Sequence, residues 1–413
     1  MTDGYENLTS KFDFSLNPNY ANLVNPSESK TTRFDRWFVL KEGYSSNLIV
    51  SLLNRFSASK DDIVLDPFVG TGSTLNGARL AGIKNATGIE INPFLSDIAS
   101  GKINSYSSHD IQVFNSKIGD IAARRAIPGE IAGFPLASKI FGNQLPKLIA
   151  MCDEINKITD VNIKRLFRIC LGSILEKASH ARRDGNGLKY PKNKHPSLLE
   201  DVFLLKAKEI SQDISMYQDS FNGKVINADS RVVLEKLDLN PSFVIFSPPY
   251  LNCFDYTEIY KIELHVLGYL KASQDARLLR ESSLSSHLNK SLKEVMPANE
   301  AVSWVVNKIN WDATFGKNRL KNMVLNYFKE MASIFHSLKS MMKRDGMIII
   351  VVGNSAYNFT AIPTDLIFAR MLELDGFTDI HVEAARKLST STQQMRNVNN
   401  ASLMRESLVI ARN

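Results

Sequence analysis

The feature that most limits what this chain can fold into is a short apolar run that breaks into a glycine turn. Asp62-Ile-Val-Leu-Asp-Pro-Phe68 leads into Val69-Gly-Thr-Gly-Ser-Thr74, then a helix-like segment from Leu75 to Ala81 and a stop at Gly82. A second apolar run follows, Ala86-Thr-Gly-Ile-Glu-Ile91. Strand, glycine turn, helix and strand make a βαβ unit, which implies parallel strands in a sheet covered on both faces.

Further strand-like runs stand at 224–229, 243–247 and 346–353, the last being the strongest buried-strand signal in the chain. A helix over 364–374 and strands over 379–384 and 407–411 close the sequence. Upstream, Ser45 and Ser46 can cap a helix whose Leu48, Ile49, Leu52, Leu53 and Phe56 recur at helical spacing. There is no internal repeat. The expected architecture is α/β, a Rossmann-like sheet with helices on both faces and largely helical insertions. Residues 1–32 are rich in Asn, Ser and Thr without periodicity and read as a poorly ordered lead-in. The sheet domain would comprise 33–96, 223–269 and 326–413, interrupted by helical insertions at 97–222 and 270–325.

In an α/β sheet, ligands bind at the carboxyl ends of the strands, where the turn after Asp66 lies. Gly70 and Gly72 allow a sharp turn and a close backbone approach to a ligand. A phosphate loop would need Gly-Lys-Ser/Thr here, and a dinucleotide fingerprint would need a third glycine where Leu75 stands. Glu90, ending the second strand, can accept hydrogen bonds from both hydroxyls of a ribose. With Asp66 it makes an acidic site suited to a cationic sulfonium cofactor carrying an ammonium group. Asp229 ends a later strand, where it can accept from an adenine amino group or cap the helix beginning at Ser230.

Phe243-Val-Ile-Phe-Ser-Pro-Pro-Tyr250 runs an apolar strand into two prolines, which cannot continue a sheet ladder. Their fixed φ makes the carbonyls between Ser247 and Pro249 a rigid set of acceptors. That is what methylation of an exocyclic amine requires. The nitrogen lone pair is delocalised into the ring, and two acceptors pulling on its hydrogens aim that pair at an incoming methyl carbon. Ser247 and the Pro248 carbonyl fit the task, and Tyr250 would stack on a base flipped out of the duplex.

At these residues the chain resembles the amino-group (cytosine-N4 and adenine-N6) DNA methyltransferases of bacterial restriction–modification systems. Asp66-Pro-Phe-Val-Gly-Thr-Gly72 is similar to their cofactor motif and Ser247-Pro-Pro-Tyr250 to their catalytic motif. Lys41-Glu-Gly-Tyr-Ser45, Asp255-Tyr-Thr-Glu-Ile-Tyr-Lys-Ile-Glu-Leu264 and Arg405-Glu-Ser-Leu-Val-Ile410 extend the likeness. The resemblance implies a class I S-adenosylmethionine-dependent methyltransferase sheet. It also implies cofactor contacts from Asp66, Phe68, Gly70, Thr71, Gly72, Glu90, Asn92 and Asp229, with Lys41 and Ser45 near the methionine end. Catalysis would fall to Ser247, Pro248, Pro249 and Tyr250. Serine in the first catalytic position favours cytosine N4 over adenine N6; an RNA or protein amide substrate and a cofactor-free binding protein are the rival readings. The cofactor motif precedes the catalytic one with 97–222 between, a departure from the more familiar serine-type order.

The charge balance suits a polyanionic partner: +7 overall, with a pI near 9.1. The densest basic stretch, Lys177 to His195, reads as a loop with Arg182, Arg183, Lys189, Lys192 and Lys194 as candidate contacts to double-stranded DNA. Arg277, Arg280 and Lys290 mark a rival recognition segment, where Trp304 and Trp311 are expected to pack rather than stack. Asp255 and Glu258 are read as ordering the catalytic loop. Cys152, Cys170 and Cys253 form no CxxC pair, and His180 and His195 lack metal-ligand company, so no metal is expected. No apolar run approaches a membrane span and the start lacks a signal-peptide pattern, which implies a cytoplasmic protein. A companion endonuclease is expected without a stable complex.

Overall fold

The computed structural model describes residues 8, 10–185, 187–216, 221–388, 398–399 and 401–413. Its strands are β1 (Asp13–Leu16), β2 (Ile63–Asp66), β3 (Asn85–Glu90), β4 (Arg182–Asp184), β5 (Gly187–Lys189), β6 (Asn222–Asn227), β7 (Phe243–Phe246), β8 (Met347–Gly353), β9 (Ser355–Tyr357), β10 (Thr360–Ile362), β11 (Thr378–Lys387) and β12 (Arg405–Arg412). Eight of them form one sheet in the order β1-β11-β12-β8-β7-β2-β3-β6. The run from β6 to β8 is parallel, and β12 is inserted antiparallel between β8 and β11. This is the Rossmann-like sheet expected from the sequence, with β1 added at one edge.

Period-two alternation builds both faces. Leu65, Val244, Phe246, Ile348, Ile350 and Val352 pack into a core shared with the helices Glu300–Lys308, Lys317–Met341 and Thr364–Leu374. Their neighbours Val64, Phe243, Ile245, Ile349 and Val351 pack on the opposite face against Leu48, Ile49, Leu52 and Leu53 of the helix Ser46–Arg55. Ser45 caps that helix by accepting from the Asn47 N–H at 3.2 Å. A third core joins the helices of 97–222 to Phe34, Trp37 and Phe38 and to residues 254–270. The first insertion is therefore continuous with the segment that follows the catalytic motif.

Several expectations need correction. From residue 10 the lead-in is built into the fold: β1 pairs parallel with β11, Tyr20 and Val24 are buried, and Asn17 donates to Glu383 at 3.0 Å. Residues 1–7 and 9, also counted in the lead-in, lie outside the described residues. The basic stretch is not a plain loop, because β4 and β5 form an antiparallel hairpin turned at Gly185, where φ is +55°. The boundary placed at 325 falls inside the 25-residue helix Lys317–Met341, whose apolar stripe covers the sheet. Helix Glu300–Lys308 packs into the same core, so much of the second insertion is a layer of the catalytic domain.

Helices Ser46–Arg55 and Ser73–Leu80 approach closely at Gly77, where an added Cβ would sit 2.5 Å from both Ile49 Cβ and the Ser46 carbonyl oxygen. Backbone cannot yield as a side-chain tip can. Gly77→Ala should lower unfolding stability by about 1–3 kcal/mol, read as a drop in denaturant midpoint with unchanged slope. A wild-type midpoint would show that the two helices are free to separate.

Candidate active site

The chain climbs outward from β2 to β3 and β6 on one side and to β7 and β8 on the other, so the topological switch point lies between β2 and β7. A cleft of about 1100 Å³, including its open mouth, lies there. The turn after β2 shapes it. Gly70 and Gly72 have φ of +52° and +87°, a region L side chains rarely adopt. That backbone aims the Gly70 N–H at Glu90 Oε2, 2.9 Å away, while the Asn92 N–H reaches Glu90 Oε1 at 2.7 Å.

Asp66 is held in the same way. It accepts from the Phe68 N–H at 2.8 Å, from the Tyr44 hydroxyl at 3.3 Å and from the Thr74 hydroxyl. Burial pushes Asp66 and Glu90 each up to about 7, partly offset by these hydrogen bonds. Glu42 also lines the cleft and is raised by burial to about 7, against the pull of Lys41 and Arg183. Its Oε2 is buried and makes no hydrogen bond, as does Asn92 Nδ2. A wall of three carboxylates, Asp66 buried and Glu42 and Glu90 half-buried, with an unsatisfied oxygen fits a ligand bearing positive charge and hydroxyl donors.

Of the expected cofactor residues, Asp66, Phe68, Gly70, Thr71, Glu90, Asn92 and Asp229 line the cleft. Asn92 also caps the helix Pro93–Ile103, accepting from the Phe94 and Leu95 N–H groups. Gly72 lies just outside and packs its α-carbon against Ala99. Lys41 points away and donates to the Arg183 carbonyl at 3.1 Å. Ser45 serves as a helix cap. Asp229 caps the helix at Ser230 and is also gripped by Arg231, whose Nη2 lies 2.7 Å from Oδ2.

Ser247, Pro248 and Pro249 line the same cleft from the end of β7. Tyr250 is not in the lining. Its ring packs against the Gly353 backbone and its hydroxyl donates to Glu406 at 2.7 Å, within hydrogen-bonding reach of Ser247. Tyr256, six residues on, does line the cleft, as does Tyr44. Asp255 caps the short helix Tyr256–Ile259 and takes Arg280 Nε at 2.9 Å, so it orders the loop as expected. Cys253 lies outside the cleft beside Tyr357 and Met323.

Sequence reading missed Glu42, Tyr44, Thr74, Arg231, Tyr256 and most of the segment Ser282–His287, which line the cleft. Glu42, Tyr44 and Tyr256 stood inside stretches already matched to the family, without a role assigned to them. The Ser282–His287 segment carries no local signal, since its place depends on Lys290 and Arg231 meeting Glu330 at 3.7 and 2.6 Å.

The candidate DNA contacts divide sharply. Arg182, Lys189 and Lys192 are exposed, Lys189 being paired with Asp184 at 2.7 Å. Arg183 is turned inward onto Glu176 and Glu263. Lys194 donates to the Glu176 carbonyl at 2.5 Å and to that of Ala181. Both are thereby removed from the DNA-facing set, because their charge is spent on buried acceptors. In the rival segment Arg280 and Lys290 are likewise engaged internally, and Trp311 is buried. Among the described residues no His/Cys/Asp/Glu group is arranged to hold a metal, and no helix is long and apolar enough to cross a membrane.

A family model described as DNA methylase, of the N6/N4 type, matches residues 21–100. Type II methyltransferase M.BsoBI of Geobacillus stearothermophilus is 28% identical over 440 aligned positions, covering 90% of this chain and 84% of that protein. Type II methyltransferase M.AvaI of Nostoc sp. (strain PCC 7120) is 24% identical, covering 95% and 92%. Among solved structures, a SAM-dependent methyltransferase from Archaeoglobus fulgidus aligns over 90% of this chain and 95% of its own, at 11% identity and a TM-score of 0.28. The chain thus resembles the amino-group DNA methyltransferases of restriction–modification type.

Proposed function

We propose that the protein transfers a methyl group from S-adenosylmethionine to the exocyclic N4 of cytosine in double-stranded DNA, as the modification enzyme of a restriction–modification system. The observation that carries this reading is the meeting of two sets of groups in one cleft: the acidic wall of Glu42, Asp66 and Glu90, and the acceptor edge Ser247–Pro249. The coarser activity, DNA amino-methylation, is supported by the N6/N4 DNA methylase family model and by the two type II methyltransferase relatives. The choice of cytosine rests on Ser247 in the first catalytic position.

Bound S-adenosylmethionine supplies an electrophilic methyl carbon on a sulfonium. Glu90 accepts from the ribose hydroxyls, and Asp66 and Glu42 offset the positive charge. Asp229, which Arg231 grips through both oxygens, would accept from the adenine amino group. Ser247 Oγ and the Pro248 carbonyl would accept from the hydrogens of the target amine and so orient its lone pair within the cleft, where the cofactor would supply the methyl group. Tyr256 stacks on the flipped base in place of Tyr250, which braces Ser247 from behind. Arg182, Lys189 and Lys192 contact phosphates.

Mass spectrometry of nucleosides from DNA treated with the protein and methyl-labelled cofactor tests the assignment. Label in N4-methylcytosine is expected; label in N6-methyladenine would overturn the base, and unlabelled DNA the reading itself. Ser247→Ala should leave cofactor affinity within about twofold and cut turnover on the order of a hundredfold, as for loss of one aimed hydrogen bond. Wild-type turnover would exclude Ser247 as an acceptor.

Cofactor affinity should rise with pH between 6 and 7.5. Carboxyls whose ordinary range is near 4 are lifted by burial to about 7 in the free protein, so the ionised forms that a cation needs grow in across this window. In the free protein the same groups lower stability as pH climbs toward 7, because the folded state retains protons that the unfolded chain has lost. Calorimetric titration should show roughly tenfold tighter binding at the upper pH for each carboxyl that must ionise; flat affinity would mean that the acids stay protonated in the complex. Arg182→Ala combined with Lys192→Ala should reduce the slope of log K against log salt by about 2. An unchanged slope would place the DNA away from the hairpin.

A further inference from the structure

Arg183 lies in the middle of the basic hairpin, yet it is turned into the protein. Its Nη1 meets Glu176 Oε2 at 2.6 Å, its backbone N–H meets Glu176 Oε1 at 3.1 Å and its Nε meets the Ile259 carbonyl at 3.3 Å. Nη2 is bound to Glu263, a carboxylate with no exposed surface whose other oxygen has no partner. The guanidinium also lies over two rings, 5.2 Å from the Tyr260 centroid and 5.6 Å from that of Phe38.

Tyr260 continues toward the cleft. Its ring is stacked 6.4 Å from Tyr256 at 26°, and Tyr256 lines the cleft beside Ser247–Pro249 and is set edge-on to Phe254. From the other side, the Arg183 carbonyl takes Lys41, next to Glu42 in the acidic wall. One side chain therefore touches the exposed hairpin, the helices after the catalytic motif and, through stacked rings, the wall of the reaction cleft.

We propose that Arg183 is a positioning residue that holds the hairpin and the Tyr256 wall in one register, so that docking of DNA on Arg182 and Lys192 sets the reactive geometry in the cleft. The proposal rests on the reading of the cleft as a DNA methyltransferase site. Its physical basis is the number of directions fixed at once: a planar guanidinium bonds Glu176, Glu263 and the Ile259 carbonyl and keeps a face for Tyr260. A lysine ammonium cannot do all of this. A phosphate contact would instead require the guanidinium to leave a buried carboxylate, which leaves an uncompensated charge inside.

The test uses the full chain with its cofactor and a DNA duplex that the wild type methylates. Absence of any methylation by the wild type would sink the DNA methyltransferase reading itself and is thereby distinguished from failure of this proposal. Arg183→Met should slow single-turnover methyl transfer at saturating DNA by about tenfold or more, as misplacement of reacting groups does. DNA affinity should stay within a few-fold of wild type with the same salt slope, and cofactor affinity should fall by no more than a few-fold, the share that Arg183 contributes by holding Glu42 down. Arg183→Lys should recover only part of the rate. In a Tyr260→Leu background the Arg183→Met loss should shrink, since the two act through one stack.

A reduced salt slope with a wild-type rate at saturating DNA would make Arg183 a phosphate contact and overturn the proposal. Additive losses in the double variant would remove the stacked path. Where Arg183→Met fails to fold, Glu263→Gln carries the same test, because it removes the charge that anchors Nη2 and keeps the side-chain shape.

Discussion

Keeping carboxylates inside the sheet's edge is the constraint on which the rest of this structure turns. Asp66 and Glu90 end adjacent parallel strands in an environment that lifts both toward neutral pH. Buried acids persist only with donors aimed at them, and here the donors are backbone N–H groups of Phe68, Gly70 and Asn92 and the hydroxyls of Tyr44 and Thr74. Those donors dictate the local chain path. Gly70 must turn with positive φ, Asn92 must start a helix, and the segment before β2 must bring Tyr44 over Asp66. The cleft is thus the space that remains once the acids are satisfied from below. Under the proposed function, a cationic ligand would complete their pairing from above.

Much of this was legible because its signals are local. Alternating apolar residues marked β2, β7 and β8, and glycines and prolines marked where strands must stop. The observed helix Thr364–Leu374 matches its expected bounds. What escaped depends on partners far away in the chain. β1 has four exposed residues, and its alternation of Phe14 and Leu16 is too short to stand out in a polar stretch; it exists because β11 offers an open edge. The hairpin β4–β5 was hidden among charges, and its support comes from Glu176, Glu263 and the helix Tyr256–Ile259. Tyr250 had the expected position in the motif, but its hydroxyl found Glu406, 156 residues later.

Charge was the least legible property. Arg183, Lys194, Arg280 and Lys290 look in sequence like the exposed Arg182 and Lys192, yet each ends on a buried acceptor. A basic residue can contact phosphate only if the fold offers it no better partner, and that depends on where carboxylates such as Glu176, Glu263 and Glu330 emerge. The net charge of +7 overstates the surface available to DNA to the extent that cations are consumed within.

The motif order acquires a physical sense from the same packing. β3 and β6 are parallel neighbours, and a single crossover helix would connect them; Pro93–Ile103 provides one. The chain nevertheless takes the long path through residues 104–221, and the core of that path also encloses Tyr260, Ile262 and Leu264 after the catalytic motif. The insertion and the back of the catalytic loop are therefore one packed body. Because close-packed interiors transmit displacement rather than absorb it, a hairpin carried by this body cannot shift without moving the wall that Tyr256 presents to the cleft. Placing the insertion between the cofactor and catalytic motifs makes that shared core possible, since the chain must pass from one motif to the other through the element that would meet the DNA.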